Sequence, residues 1–213
     1  MVQFKILFTI ILALKIAGFQ NSLLAQTDQN TKLIIIIDPG HGGKDSGAVG
    51  INGIQEKDVV LKIAKQIVEL NGIVFKNQYE IFLTRYKDTL ISLSDRTKIA
   101  QALQADIFLS LHCNHSDNPN ARGVEVYVSK KQGKYSRESI LLAYELQKEL
   151  KNNLGFESRG VKFANFQVLR ENIELFPSIL IEIGFVSNTN EARYFVAPKN
   201  IRAMAFAIFN GIM

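Results

Sequence analysis

The chain reads as an α/β domain with a mostly parallel β-sheet and helices on both faces. Three observations carry that reading. Leu33–Ile37, Asp106–Leu111 and Ser178–Ile183 are apolar runs too short for helices, the first almost pure isoleucine, as expected of strands buried on both faces. Between such runs lie stretches whose apolar residues recur at helical spacing. Strands alternating with helices in this way build parallel sheets. With 213 residues, 47% of them hydrophobic and 21% charged, there is apolar material for the core of one ordinary domain.

Residues 1–25 stand apart from that domain. Lys5, the run Ile6–Leu14 (apolar but for Thr9) and the small residue Ala25 give the layout of a secretory signal peptide. Lys15 ends the run well short of the roughly 20 apolar residues that a membrane span needs. Residues 26–32 form a short polar linker, and residues 33–213 the domain itself. Its first strand, Leu33–Ile37, stops at Asp38-Pro39-Gly40 and gives way to a glycine-rich loop that runs to Gly53. From Glu56, the spacing of Val59, Val60, Ile63, Ala64, Ile67 and Val68 predicts an amphipathic helix ending near Asn71-Gly72.

Tyr79–Thr84 is the second predicted strand, followed by a helix over Ser94–Leu103 with Ser94 as its N-cap. The third strand, Asp106–Leu111, leads directly into His112. Gly123–Ser129 alternates Val124, Val126 and Val128 with Glu125 and Tyr127, the period of a half-buried strand. Ser136–Asn152 is predicted helical, Phe166–Leu169 a short strand and Ser178–Ile183 another buried strand, with closing helices at Asn190–Phe195 and Lys199–Ile212.

Composition narrows the chemistry. One cysteine allows no intramolecular disulfide and no multi-cysteine zinc or iron–sulfur site, so the exported fold does not depend on disulfides. Loss of the signal peptide takes two positive charges and no negative ones from the net +5, leaving too small an excess for a nucleic-acid surface. Only three histidines are present. His41 follows the first strand, His112 ends the third, and Glu56 heads the first helix. Ligands beyond the carboxyl ends of strands are where open α/β sheets gather their chemistry. Two imidazoles and one carboxylate suit a catalytic zinc, with the fourth position left to water. His115 competes with His112, but it lies past the strand end in a looser loop. Glu182 stands inside the apolar strand SILIEIGF. A carboxylate there costs several kcal/mol unless paired or coordinated, so it is either ion-paired, with Arg170 as one partner, or a general base beside a metal.

These residues recur in blocks. Ile37-Asp-Pro-Gly-His-Gly-Gly43 with Asp45, Gly47-Ala48, Glu56-Lys57-Asp58, Leu83-Thr-Arg85 with Asp88, and Leu93 with Arg96 form the first half. Ala105-Asp-Ile-Phe-Leu-Ser-Leu-His112, Gly123-Val-Glu-Val126 and Pro177 through Glu182-Ile-Gly-Phe-Val-Ser-Asn188 form the second. In order and spacing they resemble the zinc-dependent amidase_3 type of N-acetylmuramoyl-L-alanine amidase, over about residues 33–213. The resemblance implies a roughly six-stranded sheet flanked by about five or six helices. It implies one Zn2+ held by His41, Glu56 and His112, Glu182 as catalytic base, and peptidoglycan as the substrate, in the periplasm or at the cell wall. His115 falls where relatives carry a small residue and stays outside the ligand set.

Some members of that family carry a helical insertion that blocks the site until a partner removes it. Here Cys113–Arg122 and Lys130–Arg137 are too short to hold one, so the expectation is an open, monomeric catalytic domain that needs no activator protein and keeps no membrane anchor once its signal peptide is gone. The stem peptide of the implied substrate carries carboxylates, and Arg170 is the candidate to orient them, with Asn114 and Asn165 as polar contacts. Two other readings remain at this point: a zinc peptidase cutting within the peptide, and a binding protein whose metal site has decayed. The second sits poorly with the presence of all four expected side chains.

Overall fold

The computed structural model of the protein describes residues 32–213; the signal peptide read at residues 1–25 and nearly all of the linker lie outside them. Six strands and, among the described residues, six helices follow one another along the chain. They are β1 (Ile34–Pro39), α1 (Glu56–Ile73), β2 (Glu80–Leu83), α2 (Leu93–Ala102), β3 (Ile107–Asn114) and β4 (Val124–Ser129). The second half comprises α3 (Ser136–Leu154), β5 (Ser158–Ala164), α4 (Gln167–Arg170), β6 (Ser178–Phe185), α5 (Thr189–Tyr194) and α6 (Pro198–Gly211). The strands form one sheet in the order β2-β1-β3-β6-β4-β5. Every neighbouring pair is parallel except β4 and β6, which run antiparallel. The mostly parallel sheet expected from the alternation of strands and helices is therefore present, with a single reversal at β4 and β5.

Strand geometry turns successive side chains to opposite faces. Ile35 and Ile37 of β1, Leu109 and Leu111 of β3, Val126 of β4 and Ile179 and Ile181 of β6 share one face. There they pack on Val60 and Ile63 of α1, Leu146 of α3 and Met204 and Ile208 of α6. Ile36, Phe108 and Leu180 lie on the other face, against Ala100 of α2 and Val168 and Leu169 of α4. This second cluster is smaller and stops short of the carboxyl ends of the strands, where polar residues take over on that face: Asp38, Ser110, His112, Glu125 and Glu182.

Three local expectations are corrected. The N-cap of α2 is Ser92, not Ser94: its hydroxyl accepts from Asp95 N–H at 3.1 Å and donates to the Asp95 carboxylate at 2.7 Å, a reciprocal pair that starts the helix earlier. Phe166–Leu169, expected as a strand, is instead the one-turn helix α4, whose apolar Val168 and Leu169 plug the smaller cluster. The strand of that region is β5, which escaped detection because it is an edge strand with mostly exposed side chains and no apolar run. Lastly, β3 runs on through His112 and Cys113 to Asn114, since His112 and Asn114 still pair with Glu182 and Phe185 of β6 across an irregularity in register.

Candidate metal centre and cleft

His41, Glu56 and His112 converge from three different elements at the carboxyl ends of β1 and β3. His41 sits just past β1 with φ 57°, a left-handed conformation in which its ring turns back over the strand end. Glu56 is the first residue of α1, and His112 stands within β3. His112 Nδ1 lies 2.8 Å and His41 Nε2 3.2 Å from the same oxygen, Glu56 Oε1. The two rings meet edge to face with centroids 5.0 Å apart. One ligand atom from each residue falls within 4.8 Å of the others, so the three form a group able to hold one metal ion.

Two glycines make this approach possible. A Cβ on Gly40 would stand 2.3 Å from His112 Cε1, and one on Gly47 would stand 2.4 Å from Glu56 Oε2. Backbone amides fix the carboxylate: Cys113 N–H donates to Glu56 Oε1 at 2.9 Å and Ala48 N–H to Oε2 at 2.7 Å. Burial opposes ionisation of Glu56, but the hydrogen bonds and charges of His112 and His41 outweigh it and hold its pKa far below the usual carboxylate range. For His41 burial likewise disfavours the cation, yet Glu56 and Asp45 prevail and raise its pKa to about 9.

Behind His41 lies a rigid polar frame. Asp45 Oδ2 accepts from His41 Nδ1 at 2.8 Å, the arrangement that orients metal-ligating imidazoles. Asp38, only 1% exposed, accepts from Thr84 Oγ1 at 2.6 Å, Ser110 Oγ at 2.8 Å and Arg96 Nη1 at 2.6 Å. Arg96 also donates to the carbonyls of Pro39 and His41, and Arg85 to those of Pro39 and Gly40. Two buried guanidinium groups thus hold the backbone of the His41 turn in place. Arg85 and Arg96 belong to the family-like blocks, but nothing in their spacing announced this task.

Glu182 lies in β6 directly opposite His112 of β3 on one side and Glu125 of β4 on the other. Its Oε2 is buried with no hydrogen-bond partner, and it forms no ion pair among the described residues. Burial, with the nearby carboxylates of Glu56 and Glu125 adding to it against the pull of His112 and His41, raises its pKa to about 7. Glu182 opens into a cleft of about 810 Å³ floored by His41 and His112 and walled by Leu90, Leu93 and Phe166.

The other expected contacts lie elsewhere. Arg170 does not line the cleft; its Nη1 donates to the Asn165 carbonyl at 2.9 Å. Asn114 also stays out of the lining, its Nδ2 donating to Glu125 Oε2 at 3.2 Å. His115 is exposed and not part of the metal-ligating group, and Cys113 packs into the core on the opposite face. Sequence reasoning passed over Glu125, which looked like the solvent side of an alternating strand. In fact it is 3% exposed, because β5 and the side chains of Arg159 and Lys162 cover it.

Comparisons with known proteins agree with this fold. A family model described as Amidase_3: N-acetylmuramoyl-L-alanine amidase matches residues 35–213. N-acetylmuramoyl-L-alanine amidase LytC of Bacillus subtilis is 41% identical over 159 residues, which cover 74% of this chain and 30% of LytC. The chain therefore spans under a third of that relative's length. Among solved structures, N-acetylmuramoyl-L-alanine amidase AmiC2 of Nostoc punctiforme superposes with a TM-score of 0.76 at 35% identity, covering 84% of this chain and 94% of that one. The CwlD amidase of Clostridioides difficile, solved in complex with the GerS lipoprotein, gives a TM-score of 0.76 at 28% identity, covering 85% of this chain and 96% of that one. The fold, the converging His–Glu–His group and these likenesses together place the chain in the N-acetylmuramoyl-L-alanine amidase family, Amidase_3.

Proposed function

We propose that this protein hydrolyses the amide between the lactyl group of N-acetylmuramic acid and L-alanine of the peptidoglycan stem peptide, with one zinc ion held by His41, Glu56 and His112. The observation that carries the proposal is Glu182, which lines the cleft one strand from His112 and keeps its buried Oε2 without a hydrogen-bond partner. An orphaned polar atom of this kind is costly, and a cation in the neighbouring His–Glu–His group together with a water in the cleft accounts for it. The donor set of two imidazoles and a carboxylate suits zinc.

When bound, zinc supplies Lewis-acid polarisation of the scissile carbonyl and a lowered pKa for a coordinated water. The chain supplies the rest. Glu182 takes a proton from the attacking water on its carboxylate as the new C–O bond forms. It then delivers that proton to the alanine nitrogen as the C–N bond breaks; the second proton of the water follows from the new carboxyl group, so that a lactyl carboxylate and an alanine ammonium group leave the site. Asp45 keeps the His41 imidazole oriented through Nδ1, and the Arg85–Arg96 frame holds its backbone.

The residues 115–123 and 130–135, which flank β4, contain no helix, so among the described residues nothing inserted covers the cleft. That supports an open cleft; that the domain acts without an activator, as a monomer, outside the cytoplasmic membrane where peptidoglycan lies is part of the proposal. No helix of the described residues is long and apolar enough to cross a membrane. The test combines zinc analysis with mass spectrometry of digested peptidoglycan. One zinc per chain and intact stem peptides with alanine N-termini are expected; peptides cut internally would replace the amidase with a peptidase. A manyfold gain in activity on adding a lipoprotein partner would end the view that none is needed.

A further inference from the structure

A substrate whose leaving group is an anionic peptide needs a cation on the leaving-group side of the cleft, and the cleft lining does not offer one. Apart from the histidines of the His–Glu–His group, Arg96 is the only cationic residue of the lining among the described residues; it is 3% exposed and spends its donors on Asp38 and on the Pro39 and His41 carbonyls. The remaining charged lining, Asp38, Asp45, Asp95 and Glu182, is acidic. Arg170 is turned to the Asn165 carbonyl.

Beyond Glu182, on the far side from His41, the picture changes. The antiparallel pairing sets Glu125 beside Glu182 on the same face of the sheet. Arg159 Nε at 2.5 Å and Lys162 Nζ at 2.7 Å, both from β5, converge on Glu125 Oε1. The other oxygen accepts from Tyr127 at 2.7 Å and Asn114 at 3.2 Å. One carboxylate is thus met by two cations and two neutral donors. No other carboxylate lies within ion-pair distance of Arg159 or Lys162 among the described residues, so the cluster carries one positive charge beyond neutrality. Both cations are held by aromatic faces: the Arg159 guanidinium lies 5.1 Å from the Phe185 ring centre and the Lys162 ammonium 5.9 Å from that of Tyr127. Their side chains stay 34% and 39% exposed, so an incoming anion can reach them. Tyr127 meets Phe166 edge to face at 5.3 Å, and Phe166 is a wall of the cleft. The basic pair is one aromatic contact from the cleft on one route and one carboxylate from Glu182 on the other.

We propose that Arg159 and Lys162 form a carboxylate-reading subsite for the stem peptide, with Glu125 as the internal anion that keeps the pair assembled when no substrate is bound. The inference rests on the amidase reading and adds a direction to it. Because Glu182 protonates the departing nitrogen, the peptide half of the substrate lies towards β6, β4 and β5. The acyl and sugar half lies towards Leu90 and Leu93 at the start of α2. Charge-assisted hydrogen bonds are the strong, geometrically selective kind, so the pair would set which peptides are cut.

The test compares soluble muropeptides carrying free stem carboxylates with the same muropeptides after conversion of those groups to carboxamides. The holoenzyme is expected to favour the free acids by about tenfold or more in kcat/KM. A triple variant, Glu125→Gln with Arg159→Gln and Lys162→Met, removes both cations without stranding a buried carboxylate, and it is expected to cut both substrates alike. Lys162→Arg is expected to keep the preference. The ratio does not depend on how much of a variant folds. Equal cutting of both substrates by the unaltered protein, or an undiminished preference in the triple variant, overturns the subsite while leaving the amidase standing. Absence of alanine-N-terminal peptides from either substrate overturns the amidase reading and the subsite with it.

Discussion

The two flanks of the cleft are built on opposite terms. On the β1 flank every buried charge is answered: Asp38 by Arg96, Thr84 and Ser110, and Arg85 by backbone carbonyls. On the β6 flank Glu182 keeps one carboxylate oxygen buried and unanswered. The first arrangement makes a rigid turn on which His41 is mounted. The second stores unfavourable free energy in one group whose protonation is therefore easy to change. The hydrolysis proposed for this site would need both, a fixed frame and a group poised between charge states, and the protein keeps them on separate strands.

That contrast is sharpest under mutation. Glu182→Gln is expected to lower kcat by about 10²–10⁴-fold, the usual worth of a general acid–base group, with folding intact; stem-peptide release by the purified variant measures it. Retained activity would move the base elsewhere. Arg96→Met should do the reverse. It strands the Asp38 carboxylate in the core, so a loss of about 3–5 kcal/mol of stability is expected in urea unfolding. A loss under 1 kcal/mol would mean that the frame is not held by its charges. Asp45→Ala tests the boundary between the two, since Asp45 supports a ligand from a position half open to solvent. It is expected to weaken zinc about 10–100-fold in chelator competition and to change stability little.

The last effect concerns pH. In the metal-free protein Glu182 keeps its proton up to about pH 7, whereas the unfolded chain gives its own up near 4.5. Between those values the folded state binds the extra proton, so stability present at low pH is lost as pH rises towards 7 and is constant above it. His41 works in a different window: its raised value of about 9 against 6.5 contributes stability that is lost between those two pH values. The difference between the unaltered protein and Glu182→Gln isolates the first. The variant is expected to gain roughly 3 kcal/mol at pH 8 relative to pH 4, read from melting curves of both chains. No change in that difference would mean that Glu182 is solvated.

Much of the fold was legible because burial on both faces leaves a continuous apolar run. Three of the four interior strands, β1, β3 and β6, announced themselves in this way, and α1 did so through its helical spacing. The exposed edge left no such trace. β5 has no apolar stripe because none of its side chains is fully buried, and the apolar residues of α4 were mistaken for the missing strand since four residues hold too few repeats to separate the two periods. At α2, Ser92 and Ser94 both had the chemistry of a cap, and the choice fell to Asp95, whose side chain can close the pair only with Ser92.

The site divides along the same line. His41, Glu56, His112 and Glu182 were visible as residue types at strand ends and at a helix start, because metal ligands and a lone carboxylate in an apolar strand are chemically conspicuous wherever they stand. Partnership was not visible. That Arg85 and Arg96 grip the His41 turn, that Arg170 faces Asn165, and that Glu125 is buried under Arg159 and Lys162 depend on contacts between residues 5 to 58 positions apart, set by strand order. Local sequence dictates which chemistry a strand end presents. Only the order β2-β1-β3-β6-β4-β5 brings β6 between the His–Glu–His group and a basic edge, which gives the cleft its proposed direction.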